Sequence, residues 1–185
     1  MGVLLDPQGE FRYTAGMAIE SFDGVSPQVE GAAFIAASAD IIGQVQVAED
    51  ASVWYNTTIR GDVAAISIGR GSNVQDNCCL HVDNELGCHL GEYVTVGHSV
   101  TLHACTVEDR CLIGMGAIVL DGAVVGQGSV VGAHALVTKN TVIPPHSLVL
   151  GSPAKVVKQL PPDTAEANYR HALSYVELAR RFAAR

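Results

Sequence analysis

Aromatic side chains are scarce in this chain: Phe, Trp and Tyr together make up only 5% of it. A core drawn from so few rings has to be built from Val, Ile, Leu and Ala, which favours thin, repetitive packing over one bulky globular centre. Charge is sparse too, at 16%, and it leans acidic, with a formal net charge of −8. Phosphate backbones and anionic membrane surfaces are gripped by clustered Lys and Arg, so the sequence predicts neither nucleic acid nor membrane as a partner. Long apolar runs are missing, and nothing approaches the ~20 residues that a spanning helix needs. The amino terminus lacks a basic segment followed by a long apolar one, so no secretory signal is read there. Cys78, Cys79, Cys88, Cys105 and Cys111 are odd in number and form no C-x-x-C. They are read as reduced thiols of a cytoplasmic protein.

What the chain has in abundance is a six-residue period. Aliphatic residues recur at Ile35, Ile41, Val47, Val53 and Ile59, then at Ile68, Val74 and Leu80. The series continues at Leu90, Val96 and Leu102, and then from Val107 through Ile113, Val119, Val125, Val131, Val137 and Ile143 to Val149. Two residues before almost every mark stands a slim side chain, such as Ala39, Thr57, Cys78, Cys88, Cys105, Cys111 or Ala117; Ile66 is the bulky exception. A period of six fits neither a helix nor a simple hairpin ladder. It fits a prism of short parallel strands in which each hexapeptide makes one flat face and one corner. The aliphatic and slim residues point inward. Three faces make a coil, coils stack at ~4.8 Å, and roughly six coils cover 33–150, each burying its core against its neighbours.

Outside that span the pattern changes. Residues 1–32 are expected to be an irregular or β leader that caps the first coil. Gly151-Ser152-Pro153 breaks the prism and Pro161-Pro162 ends a linker, within a terminal segment 151–185. Asp163 or Thr164 is then expected to cap an amphipathic helix, with Glu166 in its first turn. Tyr169, Ala172, Leu173 and Val176 lie at helical spacing, so the helix is expected to pack along this prism or a neighbouring one.

The period slips at three places: 59 to 68, 80 to 90 and 102 to 107. Counting marks instead of residues restores the stacking. Leu80 and Leu102 are three faces apart and therefore lie one above the other, which sends His81 and His103 out of the same face about one interstrand spacing apart. Two imidazoles at that separation suit one metal ion, whose nitrogens lie ~2.0–2.1 Å away for zinc. Arg60 falls in the same column. Asp76 and His98 form a second column around the corner. A neighbour's His98 face meeting the His81–His103 face would complete a site, and three chains around a three-fold axis would make three equal sites.

RGD at 60–62, NVQDN at 73–77, His81 and the H-x4-H of 98–103 resemble the gamma-class carbonic anhydrases, as do IGMGAIVLDGAVVG and VLGSPAKVV. The resemblance implies a left-handed parallel β-helix, an all-β solenoid with a carboxy-terminal helix. It also implies a homotrimer that hydrates CO2 reversibly to bicarbonate through a metal-bound hydroxide. His81 and His103 would come from one chain and His98 from the next, with zinc as the default metal and iron or cobalt compatible with imidazoles. Gln75 would orient the hydroxide or substrate. Arg60, Asp62 and Asp76 would form an ion-pair lattice across the interface, and Tyr175 would close the pocket from the helix. Some members carry a glutamate directly after the aspartate of the RGD-type string; here that position is Val63, which points to a weak anhydrase or another route for the proton. The hexapeptide fold also carries CoA-dependent acyltransferases and non-catalytic metal-binding trimeric scaffolds; the triplet of histidines argues against the first, while Val63 leaves the second open. His89, His134, His146 and His171 lack the register relation and are read as surface or packing residues.

Overall fold

A computed structural model describes residues 2–5, 11–14 and 18–185. Positions 1, 6–10 and 15–17 fall in the expected leader and lie outside the described residues. Gly2–Leu5 and Phe11–Thr14 pair antiparallel. From Ala18 onward the chain winds into a left-handed parallel β-helix with three faces. One face carries Ile41, Ile59, Leu80, Leu102, Val119 and Val137 in register; the next carries Val47, Ile68, Leu90, Val107, Val125 and Ile143. The third carries Ile35, Val53, Val74, Val96, Ile113, Val131 and Val149. Every marked aliphatic from Ile41 to Val149 is buried.

The slim second inward position explains why the coils can be so narrow. Cys78, Cys88, Cys105 and Cys111 fill it and are buried, as the sequence predicts, while Cys79 points out and is exposed. Cys78 Sγ lies 3.1 Å from the Gly97 carbonyl and Cys111 Sγ lies 3.2 Å from that of Gly126, so each thiol donates to the coil above. Thr57 and Ser72 satisfy their buried hydroxyls in the same way, on the carbonyls of Gln75 and Gly91. Ile66 fits the slim slot because its neighbours above and below, Val45 and Cys88, are smaller. Most corners turn through a residue of positive φ, among them Asn77, Ser99, Gly116 and His134. Gly116 is needed for space as well, since a Cβ there would sit 2.5 Å from the His134 ring.

Three features add to or differ from the sequence expectation. Ala18–Glu20 pairs in parallel with Asp40–Val47, and Gln28 bridges to Gln46, so a further layer is built from the segment assigned to the leader. Its spacing is not six, which hid it. The segment after Gly151 is not a plain linker: Ala154–Gln159 folds back antiparallel on Ser147–Gly151. The helix α1, Pro162–Ala183, starts from Pro161 and not from a capping side chain of Asp163 or Thr164. Pro162 suits a first turn because its missing N–H would have had no partner there.

The few aromatics gather where α1 meets the prism. Trp54 packs on Phe34, Phe182 and Tyr175 with ring centroids 5.2, 5.1 and 5.8 Å away, and Tyr93 meets Tyr169 at 4.6 Å. Asn168 donates to the Arg110 carbonyl at 2.9 Å, and Arg180 pairs with Asp50 at 2.7 Å. The helix is thereby fixed against the third face, the one that carries Val96.

Leu102 is wholly buried, so Leu102→Ala should lower stability to urea by about 2–5 kcal/mol. Burial pushes the Cys78 and Cys111 thiols up to about 12. A hydrogen bond with Cys88, then burial, holds Cys105 protonated as well. Since the thiolate is the reactive form, a thiol reagent at neutral pH should titrate no more than one cysteine per native chain, Cys79, and all five after denaturation. A second reactive thiol in the native state would contradict the packing.

Candidate metal centre

Strand pairing puts His81 opposite His103 on adjacent rungs. The rings are tilted by 56° with centroids 5.2 Å apart, and His81 Nδ1 faces His103 Nε2 at 3.2 Å. Each ring's other nitrogen meets a carboxylate. His81 Nε2 lies 3.0 Å from Asp62 Oδ1, and His103 Nδ1 lies 2.5 Å from Asp121 Oδ1. A carboxylate only accepts, so each imidazole donates its N–H outward and turns its lone pair inward. Two lone pairs facing one another at that distance repel unless a proton or a cation lies between them. Nitrogens held ~2.0–2.1 Å from a tetrahedral ion would lie roughly 3.3–3.4 Å apart, so the donor pair fits a metal.

The carboxylates are themselves held in place. Partial burial raises the Asp62 carboxyl, but the His81 hydrogen bond, a backbone hydrogen bond and the Arg60 charge outweigh it and keep it below its usual value. Arg60 pairs directly with Asp62. Asp121 is lowered chiefly by its hydrogen bond from Lys139, with His103 adding to it. Sequence reasoning missed Asp121 and Lys139. Their signal is positional: Val119 stacks over Leu102 and Val137 over Val119, and each charged residue follows its mark by two.

His98 stands around the corner. Its Nδ1 is 2.9 Å from Asp76 Oδ2, so Asp76 orients it as the other two carboxylates orient their histidines. Asp76 joins His98 and not Arg60 within the chain. Among the described residues no three metal-ligating side chains converge, because His98 leaves an adjacent face. His98 lines a cleft of about 290 Å³ with Gln75, Met115, His171 and Tyr175. Gln75 is buried; its Nε2 donates to Asn73 Oδ1 at 3.3 Å, and Asn73 Nδ2 donates to Thr95 Oγ1 at 3.0 Å. That chain pins the amide and leaves its carbonyl oxygen as an acceptor. Tyr175 reaches the cleft from α1, its hydroxyl held protonated by burial and by the nearby charge of Asp76. One chain thus carries two separate groups, the His81–His103 pair on one face and the cleft of His98, Gln75 and Tyr175 on another.

Residues 104–139 match the family model described as bacterial transferase hexapeptide (six repeats). A carbonic anhydrase of Geobacillus kaustophilus is 48% identical over 159 residues, covering 86% of this chain and 87% of that one. Gamma carbonic anhydrase 2, a mitochondrial protein of Arabidopsis thaliana, is 42% identical over 161 residues, covering 84% of this chain and 58% of that one. A crystal structure from Bacillus cereus, described as a putative acetyltransferase, is 41% identical with a TM-score of 0.86, covering 90% of this chain and 97% of that one. With the Geobacillus carbonic anhydrase this similar along most of both lengths, the chain belongs to the gamma-class carbonic anhydrase family of hexapeptide-repeat proteins.

Proposed function

We propose that the protein interconverts CO2 and bicarbonate at a metal ion shared between subunits of a homotrimer. His81 and His103 of one chain and His98 of the next would hold the ion, with zinc the expected metal and iron or cobalt chemically suited to the same ligands. The observation that carries this reading is the facing pair of imidazole lone pairs, with a third carboxylate-held imidazole waiting on the next face. Exposed apolar residues flank both halves, Met115 at 56% and Ile118 at 38%, and a neighbouring chain would cover them.

A divalent cation held there would lower the pKa of bound water to ~7 and so supply a nucleophile at neutral pH. The chain's own residues do the rest. Gln75 offers a fixed carbonyl oxygen that accepts a hydrogen bond from the attacking water and sets its direction. Leu112, Ile113 and Met115 line the cleft with apolar surface suited to an uncharged, linear substrate. Arg60 steadies Asp62, which steadies His81. Tyr175 narrows the cleft from α1. Among the described residues no helix is long and apolar enough to cross a membrane. Five unpaired thiols suit a reducing compartment such as the cytoplasm. The sequence strings shared with acyltransferases leave acyl transfer as the rival chemistry on this fold.

The shared site is tested by complementation. His81→Ala and His98→Ala should each bind little metal and hydrate little CO2. Refolding the two together should regain activity, because every mixed trimer contains one junction with all three histidines intact. No regain in mixed trimers, or acetyl transfer from acetyl-CoA by metal-free protein, would count against the proposal. Asp121→Asn should weaken metal binding by about 10–100-fold, read by competition with a chelator, while leaving the fold intact.

A further inference from the structure

Hydration of CO2 by water yields bicarbonate and one proton, so every turnover has to export a proton from the cleft. The acids nearest the histidine pair are poor carriers. Asp62 and Asp121 are each committed to two partners and are held ionised. Position 63, next to Asp62, is an exposed valine. Asp83, in the short loop after His81, accepts from the Glu85 backbone N–H. In the cleft beside His98, Gln75 and Thr95 do not titrate near neutrality. Burial, then the charge of Asp76, pushes the Tyr175 hydroxyl up and away from neutral pH. His98 is taken up by Asp76 and by its role toward the neighbouring chain.

One group is left. His171 lies on α1, lines the same cleft and is exposed to solvent on its outer side. Its ring meets Tyr175 edge-on at 5.4 Å, and α1 is tethered one turn earlier by the Asn168–Arg110 hydrogen bond. The charged and titratable groups around it are few: His98 with Asp76 across the cleft, Tyr175 beside it, and Arg170, which is paired with Glu166 on the outer face. Imidazole is the side chain whose ordinary titration range matches proton transfer at neutral pH.

We infer that His171 is the proton-release group of this protein, taking one proton from the cleft in each hydration cycle and handing it to buffer in bulk water. The inference rests on the proposed CO2 hydration.

The test uses the full-length, metal-loaded protein. In dilute buffer His171→Ala and His171→Gln should both hydrate CO2 ~10-fold or more slowly than the native protein. Millimolar imidazole should restore both. Oxygen-isotope exchange between CO2 and bicarbonate at chemical equilibrium, which needs no net proton export, should be unchanged. A merely structural His171 would instead be rescued by the similarly sized Gln and ignored by imidazole, and that result overturns the inference. So does a loss confined to Asp83→Asn/Glu85→Gln. A crystal structure of the loaded protein should link the His171 ring to the site through ordered water, and a ring with no such path overturns it too. Native protein that binds metal but neither hydrates CO2 nor exchanges isotope defeats the underlying reading instead, which separates the two failures.

Discussion

The whole arrangement depends on one constraint, the vertical register of parallel strands. Leu80 must sit under Leu102 because both are buried in the same column. A one-residue slip would turn every inward side chain outward. The core therefore determines the histidines: once the leucines stack, the next residue of each strand is forced out of the same face a single rung apart. Hydrophobic burial alone sets the spacing of two polar groups that contribute little to folding themselves.

A second layer of order comes from carboxylates. Asp62, Asp76 and Asp121 each address one histidine, and each lies at or near a corner where the chain is free to aim a side chain. These contacts choose the tautomer and so decide which nitrogen is left as a donor of electrons. Arg60 and Lys139 then neutralise two of the three acids. A site carrying three carboxylates without those cations would draw protons and lose the lone pairs it needs.

Much of this was legible in the sequence because a period of six is rare and self-checking. Aliphatic marks, slim partners and corner residues had to agree, and they placed His81 and His103 together across the break from Leu80 to Leu90 that pairwise spacing would have missed. What stayed hidden has physical causes. The first layer, Ala18–Glu20, has no hexapeptide spacing because a turn at Phe22–Val25 replaces a flat face. Asp121 reads as an ordinary corner acid until the coil above His103 is built. The helix start was misjudged because Pro161-Pro162 does by backbone restriction what Asp163 or Thr164 would have done by hydrogen bonding. His171 was unreadable since no register links α1 to the prism; only the aromatic seam around Trp54 turns that histidine toward the cleft.

The reversed strand Ala154–Gln159 has a bearing on solubility. A stack of parallel rungs ends in an open row of amides and carbonyls, which is a template for endless growth by addition of further chains. Here the last rung is occupied by a strand running the other way, bounded by Pro153 and Pro161 and carrying Lys155 and Lys158. A parallel newcomer meets the wrong polarity, two flanking prolines and positive charge. The same ladder that lines up the histidines is thereby kept from becoming a fibre.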